Sequence, residues 1–160
     1  MPFNFYAVLA ATFVTLLVGF VWYSPKVFRT IWMRETGVTD EKAKQSNMLK
    51  VCGFTIFYSF MLAFILPTIV VHQMGALGMI GGDPALAKPS YTALLADYGD
   101  AFRTFKHGAL HGFLAGVFIA LPITAINALF EQKSWKYILI NAGYWIVSLT
   151  IMGAIICGWK

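Results

Sequence analysis

The chain has 160 residues, of which 59% are hydrophobic and only 12% charged, with a mean hydropathy of +0.70. Soluble domains run at about 45–50% apolar and about 25% charged, so these totals exclude an ordinary cytosolic enzyme and a disordered chain. The formal charge of +5 would suggest nucleic acid in a soluble protein, but here the cations lie between apolar runs. No zinc-finger spacing, RNA-binding signature or continuous basic helix accompanies them, so the expected partner is a lipid bilayer and not nucleic acid.

A helix needs about 20 apolar residues to cross a bilayer. Four runs qualify: 5–23, 51–71, 108–130 and 137–156, none with Asp, Glu, Lys or Arg in its core. They are too long and too uniformly apolar for barrel strands. The expected fold is therefore all-α, an integral-membrane four-helix bundle forming one domain over residues 1–160. The first basic residue, Lys26, follows the first run, which marks that run as a retained span and not a cleaved leader.

In the loop after the first span, Phe28, Ile31 and Trp32 fall at i, i+3, i+4, interleaved with Lys26, Arg29 and Arg34. That pattern predicts a short helix lying in the headgroup layer, ended by Gly37. Thr39 or Asp40 then caps a polar helix leading into the second span, where Pro67 should produce a kink. The second loop opens Gly- and Pro-rich. Ser90 is the expected cap of an amphipathic helix carrying Tyr91, Leu94, Leu95, Tyr98, Phe102 and Phe105. No proline separates this helix from the third span, so the two are expected to be continuous; within that span Pro122 should introduce a second kink.

The loops at 24–50 and 131–136 carry eight basic side chains; the loop at 72–107 and the two tails carry four. The positive-inside rule puts the first group in the cytoplasm and both termini outside. Trp22, Trp135, Tyr137 and Trp159 read as interfacial anchors. Two cysteines make no disulfide framework. Cys52 and Cys157 are expected at opposite membrane faces, separated by much of a roughly 30 Å core.

Three stretches carry a family resemblance. The first is Gly19-Phe20-Val21-Trp22-Tyr23-Ser24-Pro25, with Phe28 and Trp32-Met33. The second is His111-Gly112 with Gly116, Pro122, Asn127 and Leu129-Phe130-Glu131. The third is Asn141-Ala142-Gly143-Tyr144-Trp145 with Met152-Gly153. Together they resemble a bacterial membrane family catalogued as domain of unknown function 1761. The resemblance covers all four spans and implies a small multi-pass protein of the bacterial inner membrane. It implies no reaction.

Three groups of side chains are candidates for function. His72 ends the second run, and His107 and His111 open the third. His107 and His111 are four apart, hence on one helix side, and on a continuous helix Asp100 falls within about 20° of the same line. Imidazoles at i, i+4 with a carboxylate are a divalent transition-metal geometry; interfacial histidines bonded to neighbours or water are the alternative. The second group is polar: Trp22, Tyr23, Asn127, Glu131, Asn141 and Tyr144, expected toward the cytoplasmic side, either as interhelical hydrogen bonds or as a pocket for a headgroup or small substrate. The third is a stripe of small residues, Gly108, Gly112, Gly116 and Ala120, which lets backbones approach either within the chain or between subunits. A matching stripe runs through Ala7, Ala11, Thr15 and Gly19.

No Ser-His-Asp arrangement, HExxH, P-loop or GxGxxG is present. The leading expectation is therefore a non-enzymatic accessory or assembly subunit, homo-oligomeric or docked to a larger membrane complex. A metal- or ion-handling protein built on the histidines is the first alternative, and a small membrane enzyme acting on a lipid or quinone is the second.

Overall fold

The computed structural model describes residues 3–160. Its elements in chain order are α1 (Phe5–Trp22), α2 (Arg29–Thr36), α3 (Asp40–Gln45), α4 (Met48–Val70), α5 (His72–Met79), α6 (Pro89–Tyr98), α7 (Phe105–Phe130) and α8 (Trp135–Gly158). Among the described residues there is no strand. Helices α1, α4, α7 and α8 are the four long enough and apolar enough to cross a membrane, and each contains or closely matches an expected run. At 1.5 Å per residue, the 24 residues of α8 extend about 36 Å, enough to clear a roughly 30 Å hydrocarbon core.

The caps follow the sequence. Asn4 accepts from the Tyr6 and Ala7 amides, Thr39 from Lys42, Asn47 from Lys50, Thr104 from His107 and Ser134 from Tyr137. Gly37 ends α2 at φ +73°, a left-handed conformation that costs glycine nothing. Asn4 Nδ2 also donates to the Trp159 carbonyl, so the two ends of the chain lie side by side at one end of the bundle.

The loop helix α6 departs from expectation twice. It starts at Pro89 behind Lys88, without a Ser90 cap, because proline suits the first turn, where its missing N–H costs nothing. It also stops at Tyr98 and does not run into the third span. The turn 99–104 holds Phe102 at φ +63°. Side chains satisfy its backbone: Gln73 Nε2 donates to the Tyr98 and Ala101 carbonyls at 2.7 and 2.9 Å, and Cys157 Sγ lies 3.4 Å from the Phe102 carbonyl. Those partners replace the bonds that continuing the helix would have provided.

Helix α8 is the hub. It packs along α7 and α1 and meets the last turn of α4, and it is chiefly through that turn that α4 meets α7. The small-residue stripe explains the α7–α8 contact. A Cβ on Gly108 would collide with the Gly153 carbonyl, one on Gly112 with the Leu149 carbonyl, and one on Gly116 would lie 2.6 Å from the Ile146 Cα. The stripe is thus consumed within one chain, backbone against backbone. The second stripe buries Ala7, Ala11 and Thr15, and a Cβ on Gly19 would lie 3.7 Å from the Tyr144 ring.

Both prolines interrupt their spans. Leu66 separates two helical segments ahead of Pro67. Ahead of Pro122, residues Gly116–Ala120 form a π turn, one route by which a helix accommodates a proline that cannot donate to its ladder. Both cysteines are free, Cys157 buried and Cys52 half-buried.

The first loop is fastened to the end of α8. The Ser134 hydroxyl donates to Glu35 Oε2 at 2.5 Å while its oxygen caps α8. This bond, followed by Arg34, holds the Glu35 carboxyl below its ordinary value. A lowered folded-state value stabilises above the unfolded one and is lost as pH falls through it. The fastening should therefore persist through the ordinary carboxylate range near 4.3 and fail only below it. An NMR titration of the Glu35 carboxyl reads this out, and Ser134→Ala, which removes the bond that favours the charged form, should move its midpoint upward.

Candidate functional site

The three histidines converge. Val71 takes an extended conformation (φ −118°, ψ +106°) that breaks α4 from α5. The break turns His72, the first residue of α5, toward α7. His72 Nε2 lies 2.9 Å from His107 Nε2 and 3.4 Å from His111 Nε2. One ligand atom from each ring fits within a 4.8 Å group, the His72 side being exposed and the other two half-buried. Two ligands of a tetrahedral zinc sit about 3.3 Å apart when each nitrogen is ~2.0–2.1 Å from the ion. The two separations from His72 bracket that value.

Phe102 was not anticipated as part of this site. Its ring stacks on His72 (centroids 5.5 Å apart, 25° between planes) and lies 5.0 Å from the His107 ring. A left-handed backbone at a phenylalanine is uncommon and costs of order 1–3 kcal/mol; here it brings the ring over the imidazoles. Nothing in the local pattern marks it, since Phe102 fits the helical periodicity of 91–105. Gln73, which pins the turn carrying Phe102, was equally silent, although a glutamine at the end of an apolar span is itself unusual.

Asp100 does not join the histidines. Its alignment with His107 required one continuous helix, and the turn at 99–104 breaks that line. The carboxylate pairs instead with Lys160 Nζ at 3.2 Å.

The polar cluster at the opposite end assembles in part. Tyr23 Oη donates to Asn141 Oδ1 at 3.1 Å, Trp22 Nε1 donates to the Ile140 carbonyl at 3.0 Å, and Tyr144 Oη donates to the Thr15 carbonyl at 3.0 Å. The Tyr23 ring touches Tyr144 and Trp32, with centroids 5.4 and 5.3 Å away. These groups tie α1 to α8 by interhelical hydrogen bonds. Asn127 and Glu131 are exposed and stand apart from them. The reason is the π turn. On a straight helix Asn127 would lie within about 20° of Gly116 and face α8. One extra residue in the turn rotates everything after it by about 100°, so Ala128 takes the inward position and is 1% exposed.

A family model described as "Protein of unknown function (DUF1761)" matches residues 6–157. Comparison with curated proteins and with solved structures gives no match.

Proposed function

Since the chain belongs to the DUF1761 family, whose description carries no activity, we propose a function from the geometry: a multi-pass membrane protein that binds a divalent transition metal through His72, His107 and His111. The observation that carries this reading is the convergence of three imidazole nitrogens from two separate chain segments. Imidazole suits zinc, copper and nickel. Three protein ligands leave a fourth position, which water or a small molecule would take as in open metal sites. The test is metal analysis of protein purified in detergent and dialysed against zinc. About one ion per chain is expected for wild type. No excess over the His107→Ala, His111→Ala double variant would overturn the reading.

A non-catalytic accessory role is the second reading. It is favoured by the outward face of α4, where Phe54, Phe57, Tyr58, Met61 and Phe64 are all more than half exposed. A homo-oligomer partner or a larger complex would seat there, and copurification from native membranes tests it. The charge asymmetry supports an inner-membrane orientation with the histidine end and both termini outside. An impermeant thiol reagent on intact cells should then label a cysteine placed at Lys88 and spare one at Lys42. The reverse pattern would invert the topology.

A further inference from the structure

An apolar groove leads away from the histidines toward the middle of the bundle. Helix α4 meets α7 chiefly through its last turn, and farther from the histidine end the two helices part. The opening between them has a volume of about 390 Å³. Leu62 and Ile69 form one wall, Ala115 and Ile119 the other, and Trp145 and Leu149 of α8 the floor. The one hydroxyl in the lining, on Thr124, donates back to the Ala120 carbonyl. Ile69 and Ile119 are 38% and 48% exposed, so the groove lies open to the bilayer.

Its upper end adjoins the histidines on both walls. Ala115 stands one turn beyond His111 on a regular stretch of α7, so the two share a face and lie about 6 Å apart along the axis. Ile69 comes three residues before His72. From Ala115 to Thr124 the α7 wall extends about 14 Å, the depth of one leaflet of a roughly 30 Å hydrocarbon core. The Phe102 ring lies against His72 and His107, whereas His111 is the ring nearest the groove. The loop side of the centre is therefore covered, which leaves the groove side for a fourth ligand.

Charge selects the head of that ligand. Three neutral imidazoles leave a divalent ion with both its charges. Among the described residues no carboxylate joins the three, and Asp100 is held by Lys160. His107 and His111 lie in the first two turns of α7, at the edge of the hydrocarbon, where an uncompensated dication is costly. An anionic ligand relieves that cost, and the groove gives the anion a place for an apolar tail.

We infer, resting on the metal reading above, that groove and centre form one site for a long-chain carboxylate, with its chain in the groove and a carboxylate oxygen at the fourth position of the metal. The full chain in detergent, loaded with zinc, is tested for retention of palmitate against methyl palmitate, which keeps the chain and loses the charge. Palmitate should be retained at least about tenfold better, the loss expected for one contact to a charged group, and a chelator should abolish the difference. Ile119→Trp and Ile123→Trp, at exposed positions in the groove, should each lower palmitate retention about tenfold, the equivalent of two displaced methylenes, with zinc content unchanged. Ile126→Trp, exposed on the same helix outside the groove, should change neither. A chain that takes up no zinc fails the metal reading and the carboxylate site with it. Zinc uptake with equal retention of the two palmitates, or with retention indifferent to both groove variants, would overturn the carboxylate site alone. So would a preference for phosphatidylglycerol over palmitate, which would give the groove to a bulk lipid.

Discussion

Gly112→Leu is expected to prevent α7 and α8 from closing. Overpacking a core typically costs about 1–3 kcal/mol where side chains can shift. Here the obstacle is main chain: the added Cβ meets the Leu149 carbonyl and lies 3.0 Å from the Thr150 Cα. No rotamer change relieves that, so the loss should reach or exceed the upper end of that range, with a lower melting temperature in detergent. Gly53→Leu is the control, because nothing lies within 4 Å of a Cβ built there. It adds the same bulk to a span and should leave melting near wild type. Equal behaviour of the two variants would mean that the tight α7–α8 contact does not hold the bundle together.

The second large effect belongs to the histidines. Removing one ligand of three should cost more than the 10–100-fold typical of losing a supporting second-shell group, so His72→Ala should weaken zinc binding by at least about a hundredfold. His72 is the informative choice because it comes from outside α7. A site made by the i, i+4 pair alone would barely notice its loss. Asp100→Asn should have no effect on affinity, since that carboxylate pairs with Lys160. Bound zinc also competes with protons for neutral imidazole, so affinity should fall as the medium is made more acidic. Titration with a competing chelator, repeated for each variant and pH, measures all three. Unchanged affinity in His72→Ala would reject the three-histidine centre.

Much of the bundle was legible because its signals are local. Span length follows from uninterrupted apolar runs, and the caps at Thr39 and Gly37 follow from residue type. The i, i+4 pair of His107 and His111 needed only helical periodicity. What placed His72 beside them was not local: the break at Val71 depends on how the end of α4 packs against α7. The residues that stand apart share one physical cause, a break in helical register. Asp100 is aligned with His107 only by counting 100° per residue along an unbroken helix, and Asn127 and Glu131, grouped with the fourth span by polarity and depth, would face it only on a straight one. The turn at 99–104 and the π turn at 116–120 each reset that count. Gly99 was a visible hint of the first, being a poor helix residue amid good ones. The second had only Pro122, which signals a distortion without specifying its kind.

That π turn has a genetic consequence. It amounts to one residue more than a regular helix would need between Gly116 and Pro122. Deleting a single codon there would restore a regular ladder and leave the histidine end of α7 in its original register. Everything beyond would swing back by about 100°, carrying Asn127 inward toward α8 and Ala128 out to lipid. The two polar arrangements at that end of the molecule are thus one deletion apart in sequence space.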